Sequence, residues 1–312
     1  MSPRAVVFAH HDVGDRCLRA LVAHGWHVPL VVTHKPDPNE RQWFASILDT
    51  ARELAIPALA PAAQDQRGLE RTLGQLRPDF LFSFYYRNMI GEPLLKQARR
   101  GALNIHGSLL PRYRGRAPVN WAIVNGERET GATLHHMTAA PDAGDIVDQL
   151  SVPILEDDDA RLVMSRVTAA AEIVLVRNLS GLASGTAPRR PQSLHEGEYC
   201  RRRTPEDGRI DWSAPARRIH DLVRAVAPPY PGAFTDIGGE RYRILQTRRI
   251  HGTPDPDHTP RFCTRHGACV VVCADGEALE LRSVATRSGP VDLQRLARTL
   301  STKPLLLCEQ AA

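Results

Sequence analysis

The run Val28-Pro29-Leu30-Val31-Val32-Thr33 is almost wholly apolar, and its one proline stands near the start, where a strand tolerates it. Such a strand is buried on both faces, as in a parallel sheet covered by helices. Upstream, Ala5 to Ala9 is a second β-rich run. Between the two lies a helical pattern with Leu18, Leu21 and Val22 on one face and Gly25 as its stop. Downstream, Trp43 to Leu54 reads as helix, Ile56 to Leu59 as a short strand, Leu69 to Leu76 as helix and Phe80 to Tyr85 as strand. The alternation predicts an α/β fold, a doubly wound Rossmann-like sheet domain. The turn after the first strand, His10-His11-Asp12-Val13-Gly14-Asp15, contains no Gly-x-Gly-x-x-Gly, which disfavours a nicotinamide enzyme.

A helical stretch from Ala160 to Leu182 ends in Ser184-Gly185, followed by Pro188, Arg189, Arg190 and Pro191, a linker composition. The expected division is a first domain over residues 1–188, a linker over 189–204 and a C-terminal domain over 205–312. In the last part, Ser213 stands where it can cap a helix with Pro215 near its start and Ile219, Leu222, Val223 and Val226 on one face. Phe234 to Ile237 and Arg241 to Leu245 flank Gly238-Gly239, and Cys269 to Ala274 and Ala278 to Val284 flank Asp275-Gly276. Both are hairpin signals, pointing to a smaller β-rich, OB-like barrel.

At 312 residues, with 42% hydrophobic and 24% charged residues, the chain has the balance of a folded globular protein. Forty Lys and Arg against 35 Asp and Glu leave a net charge of +5, and the excess is local: Arg189, Arg190, Arg201, Arg202, Arg203. That suits a phosphate-bearing ligand better than a long nucleic-acid track. The N-terminus reads as neither signal peptide nor membrane span, so the expected location is the cytoplasm, without membrane insertion. The six cysteines lack Cys-x-x-Cys spacing and are expected to be reduced.

The densest stretch chemically runs from Asn104 to Pro118 and follows a strand pattern. Residues two apart on a strand share a face, so Asn104 and His106 project together, at the strand end where open α/β sheets bind ligands. An amide donor beside an imidazole suits acyl transfer: Asn stabilises a developing oxyanion while His moves the proton of an attacking amine. Taken alone, Asn104 caps a turn and His106 is a satisfied core histidine. Context favours chemistry, because the strand pattern Thr133 to Met137 feeds a loop of small residues carrying Asp142. A carboxylate there would orient the imidazole and keep it basic. His135 and His136 are adjacent on a strand and face opposite ways, so no catalytic metal is expected.

His106-Gly107-Ser108-Leu109-Leu110-Pro111, with Asn104 before it and Asp142 after it, resembles the signature of the 10-formyltetrahydrofolate-dependent formyltransferases, which include methionyl-tRNA formyltransferase and the nucleotide-sugar N-formyltransferases. The resemblance extends over nearly the whole chain, through Phe8 to Asp12, Phe82 to Arg87, Arg112 to Pro118, Arg202 to Asp207, Arg224 to Ala227 and Pro231 to Phe234. These segments look most like the branch that formylates the 4-amino group of UDP-4-amino-4-deoxy-L-arabinose in lipid A modification and polymyxin resistance.

The resemblance implies that Asn104 stabilises the tetrahedral intermediate, His106 is the acid/base group and Asp142 makes His106 more basic. It implies a first domain that binds 10-formyltetrahydrofolate along Asn88, Met89, Ile90, Arg116, Thr138, Ala139, Ala140, Pro141 and Asp142, with no metal. Pro141 removes one backbone donor from that loop. For the sugar diphosphate, Ser108, Arg112, Arg114, Arg201 and Arg202 are the candidate ligands. The expected partner is a small nucleotide sugar rather than nucleic acid. In 312 residues there is no dehydrogenase-decarboxylase half, so a separate protein is expected to supply that step. Methionyl-tRNA formyltransferase is the alternative, along with other nucleotide-sugar N-formyltransferases. Against the tRNA enzyme stand His11-Asp12 in place of Gly-Thr-Pro, and a loop from His34 to Asp49 in which Lys35 and Arg41 meet Asp37, Glu40 and Asp49. A silent folate-binding scaffold is a third reading, opposed by the presence of all three polar residues.

Overall fold

The computed structural model describes residues 2–38, 42–61, 66–302 and 304–307. Glu40 and Arg41 of the loop weighed above lie outside the described residues, as does Cys308. Two compact units emerge. The first comprises residues 1–118, 129–152 and 165–201, and the second 119–128, 153–164 and 202–312.

The first unit holds β1 (Arg4–Ala9), α1 (His11–Ala23), β2 (His27–Val32), α2 (Ile47–Glu53), β3 (Ala58–Leu59), α3 (Gln66–Leu76), β4 (Phe80–Phe84), α4 (Glu92–Leu95), β5 (Gly101–His106) and β6 (Arg114–Gly115). Beyond α5 (Pro118–Val124) it continues with β7 (Glu129–His136), β8 (Ile146–Pro153), much of α6 (Ala160–Ser184) and β9 (Tyr199–Cys200). Its seven-stranded sheet runs β3-β2-β1-β4-β5-β7-β8, parallel from β3 to β5, with β7 antiparallel to β5. This is the Rossmann-like sheet read from the apolar runs. Val6, Phe8, Leu30, Val32, Leu73 and Leu81 form one buried cluster, each such side chain contributing about 1.5–3 kcal/mol by leaving water.

Helix α2 starts four residues later than its apolar pattern suggested. Ser46 accepts from the Asp49 amide and caps it, while Trp43 and Phe44 set their rings 4.6 and 4.7 Å from that of His11. Of the linker expected over 189–204, residues 189–201 cluster with the first unit and 202–204 with the second. Arg190 bridges Ile146, and β9 pairs in parallel with β6.

The second unit contains α7 (Ala216–Ala225), β10 (Ala233–Ile237), β11 (Glu240–Ile250), β12 (Arg261–Arg265), β13 (Ala268–Val272), β14 (Ala278–Thr286), β15 (Gly289–Pro290), α8 (Leu293–Thr302) and β16 (Leu305–Leu306). Its antiparallel, curled sheet has the order β10-β11-β14-β13-β12-β16, with β15 on β14. Both expected hairpins are present. Helix α7 is capped differently from the expectation: Ser213 bonds Asp211 in a local turn, Pro215 occupies the N-cap position, and the Ala216 amide donates to Asp275 of the β13–β14 hairpin.

Candidate active site

Asn104 and His106 lie two residues apart at the end of β5, and His135 on β7 pairs directly with Asn104. Directly opposed residues in an antiparallel pair share a face, so all three side chains meet on one side of the sheet. The loop after β7 folds back over them and delivers Asp142. Its Oδ1 lies 3.5 Å from His106 Nδ1, 3.5 Å from His135 Nε2 and 3.4 Å from the Asn104 amide nitrogen. His106 and His135 are buried.

The turn after β5 is held from beneath by Thr133. Its hydroxyl donates to the Ser108 carbonyl at 2.6 Å and accepts from the Leu110 amide and the Gln149 side chain. The turn carries Tyr113 round so that its carbonyl accepts from His106 Nε2 at 2.8 Å. A carbonyl only accepts, so Nε2 bears the proton and the neutral ring keeps its lone pair on Nδ1. That lone pair faces the Asp142 carboxylate. Two acceptors so placed have room for one proton between them, and the site is built to receive it.

Burial would raise the Asp142 carboxyl, but its neighbours His106 and His135 and the Gly115 amide at 2.9 Å together hold it well below the usual carboxylate range. Asp142 is therefore ionised. Gly115 makes this possible: its φ is +93°, and a Cβ there would lie 2.6 Å from the Cys200 carbonyl oxygen, so no other residue fits. Tyr85, Tyr113, Ala117 and Asp142 all have left-handed backbones, four of the eight non-glycine residues so placed among those described. Such conformations concentrate where surrounding structure holds a site in shape. His136 faces the other way, and burial, then the charge of Arg189, push it down to about 4.

Residues 192–200 strap the Asp142 loop. Gln192 donates to the carbonyls of Asp142 at 3.0 Å and Gly144 at 2.6 Å. The Tyr199 hydroxyl donates to the Pro141 carbonyl at 2.7 Å, and the Arg116 amide bonds the Cys200 carbonyl. Nothing in the local pattern around Gln192 or Tyr199 signals this role, which rests on contacts about fifty residues apart in sequence.

Two candidate diphosphate ligands are otherwise engaged. Ser108 is fully buried and its hydroxyl donates to the Arg112 carbonyl at 2.6 Å, closing the turn. Arg114 is buried under the strap, where its guanidinium donates to the Leu194 and Gly197 carbonyls and lies 4.4 Å from the Tyr199 ring centre. Both read as ligands because a hydroxyl and a guanidinium near a catalytic strand are common phosphate partners; burial assigns them to the scaffold. Arg112 and Arg201 are exposed in the first unit, and Arg202 is exposed in the second.

Of the folate candidates, Asn88, Met89, Arg116 and Thr138 to Pro141 are exposed. Ile90 turns its side chain into the hydrophobic cluster, leaving only its backbone for a ligand. Among the described residues no group of three or more His, Cys, Asp or Glu side chains is arranged to hold a metal ion, and no helix is long and apolar enough to cross a membrane.

Residues 4–179 match the family model for formyl transferase, and residues 202–300 match that for the formyl transferase C-terminal domain. The chain belongs to the formyl transferase family. Among solved structures it is similar to the N-formyltransferase from Helicobacter canadensis in complex with folinic acid and dTDP-3-aminofucose, at 20% identity and a TM-score of 0.72, over 90% of this chain and 99% of that one. It is also similar to WlaRD, a sugar 3N-formyltransferase solved with dTDP and 5-N-formyl-THF, at 18% identity and a TM-score of 0.71, over 94% and 99% of the two chains. A sugar N-formyltransferase from a Shewanella species matches at 17% identity and a TM-score of 0.64, over 81% and 100%. At these identities the likeness is one of fold.

Proposed function

We propose that this protein transfers the formyl group of 10-formyltetrahydrofolate to the amine of a nucleotide-linked amino sugar, the acceptor being the 4-amino group of UDP-4-amino-4-deoxy-L-arabinose. The observation that carries the reaction type is the lone pair of His106 Nδ1 held 3.5 Å from an ionised Asp142, beside the Asn104 amide. The amine nitrogen attacks the formyl carbon, and Asn104 N–H stabilises the charge growing on the formyl oxygen. His106 Nδ1 takes the proton the amine must lose, and Asp142 stabilises the imidazolium so formed. When the tetrahedral intermediate collapses, the bond from carbon to folate nitrogen breaks. His106 returns the proton to that nitrogen, and tetrahydrofolate leaves.

The folate is assigned to the exposed loops bearing Asn88, Met89, Arg116 and Thr138 to Pro141, with the backbone of Ile90. These loops stand on either side of the β5 end, where the formyl carbon must lie. A nucleotide-sugar acceptor is supported by the family and by the sugar N-formyltransferases of like fold, and the exposed guanidinium groups of Arg112 and Arg201 suit a diphosphate. The particular sugar rests on the sequence resemblance, in segments spread along the chain, to the branch that formylates UDP-4-amino-4-deoxy-L-arabinose. In that setting the enzyme works in the cytoplasm on a soluble precursor of lipid A modification.

Incubation with 10-formyltetrahydrofolate and UDP-4-amino-4-deoxy-L-arabinose is expected to release tetrahydrofolate and give a product heavier by one formyl group in mass spectrometry. Efficient formylation of a dTDP-linked amino sugar instead would move the acceptor and keep the reaction. Formylation of methionyl-tRNA alone would overturn the sugar assignment.

A further inference from the structure

His135 is 1% exposed, and both its ring nitrogens have partners. Nδ1 lies 2.9 Å from the carbonyl of the next residue, His136, and Nε2 lies 3.1 Å from the Asn104 amide nitrogen. The two contacts are not independent. The His136 carbonyl only accepts, so Nδ1 carries the proton, and in the neutral ring Nε2 is then an acceptor. An acceptor there requires the NH2 of Asn104, not its carbonyl oxygen, to face β7. The Asp142 carboxylate, 3.4 Å from the same nitrogen, imposes the same demand.

We infer that His135 is a positioning residue that fixes which way round the Asn104 amide lies, so that the catalytic N–H group is present at the reacting centre. This rests on the proposed formyl transfer. The two N–H groups are unequally held. At 3.1 Å the bond to His135 is ordinary, whereas the 3.4 Å contact to Asp142 is long. The N–H nearer Asp142 is the one released to a developing oxyanion, while the bond to His135 keeps the amide in place. With the amide turned over, its oxygen would face both Asp142 and the developing negative charge, and the donor would be lost. An amide free to rotate reaches the productive orientation only part of the time, and a misplaced group of this kind lowers turnover on the order of 10²-fold. Ground-state binding of either substrate does not depend on that bond, so the loss falls on kcat.

The test uses the full chain. His135→Phe keeps the ring volume and removes the acceptor, while His135→Gln restores a side-chain carbonyl that can accept. His135→Phe is expected to lower kcat about 10- to 100-fold, with KM for both substrates and the binding of folinic acid nearly unchanged, and His135→Gln is expected to recover most of the loss. In an Asn104→Ala background His135→Phe should have no further effect, because the two residues act as one unit. Nitrogen-15 NMR of the histidine rings in the unmutated protein should show His135 protonated on Nδ1 and bare on Nε2. The inference is overturned if kcat is unchanged in folded His135→Phe, if its effect multiplies with that of Asn104→Ala, or if Nε2 carries the proton. Should the unmutated protein formylate no amine at all, the proposed function falls, and the NMR measurement still decides the orientation of Asn104.

Discussion

Each unit buries a histidine beside an aspartate, and the two clusters are finished differently. In the second unit, His220 bonds Thr247 at 2.9 Å and the Glu156 carbonyl at 3.0 Å. Its neighbour Asp221 pairs with Arg224, whose guanidinium also reaches the carbonyls of Leu155 and Asp158. Every strong donor there has a close acceptor. In the first unit, the His106–Asp142 and Asn104–Asp142 separations are 3.5 and 3.4 Å, and left-handed backbone at Tyr113 and Asp142 holds the groups where they are. A satisfied cluster stabilises a fold. A cluster left one proton short, held by its surroundings, is suited to exchanging that proton with a substrate.

The contrast breaks if variants in the two clusters have the same effect. The largest expected effect is on turnover: His106→Ala should lower kcat about 10²- to 10⁴-fold and Asn104→Ala on the order of 10²- to 10³-fold, both with thermal midpoints close to the unmutated protein. Near-normal turnover of His106→Ala at saturating substrates would remove the assignment. In the second unit the effects should be exchanged. Asp221→Ala leaves a buried guanidinium without its carboxylate and should lower stability by about 3–5 kcal/mol, measured by urea unfolding, with kcat of the folded protein retained. A stable Asp221→Ala protein with lost turnover would erase the distinction.

Acid sharpens the comparison further. Asp142 ionises at lower pH in the folded chain than in the unfolded one, so its contribution to stability is complete above about pH 4 and is lost as the pH falls toward the depressed folded value. The gap in urea midpoint between unmutated protein and Asp142→Asn should be widest near neutrality and should narrow on acidification to pH 3. His136, pushed from 6.5 to about 4, leaves the unfolded chain binding more protons across that interval, so stability falls as pH drops through it. His136→Gln should flatten that part of the curve. A smaller effect is expected at the strap, where Tyr199→Phe removes one hydrogen bond worth about 0.5–1.5 kcal/mol, and kcat should fall roughly 2- to 10-fold.

Much of this was legible in sequence. The apolar runs gave the parallel sheet, and the spacing of Asn104 and His106 put them on one face, because strand periodicity is a local property. Asp142 was reachable through the small-residue loop that carries it. The role of His135 was not: next to His136 it invited a question about metals, and only the cross-strand register shows that it faces Asn104. Arg114 and Ser108 read as ligands because sequence reports residue type and not burial. The strap reads as linker because Pro188, Arg189, Arg190 and Pro191 just before it have linker composition, while its contacts lie with residues 114–116 and 141–144.

The strap also sets an order in time. Tyr199 is translated 57 residues after Asp142, which at about 5–20 residues per second is a delay of roughly 3–11 s. During that interval a growing chain already contains Asn104, His106 and Asp142 but has nothing to hold the Pro141 and Gly144 carbonyls. The catalytic trio thus precedes its own fastening on the ribosome, and the site reaches its final geometry only after the polypeptide has passed beyond the sheet and returned.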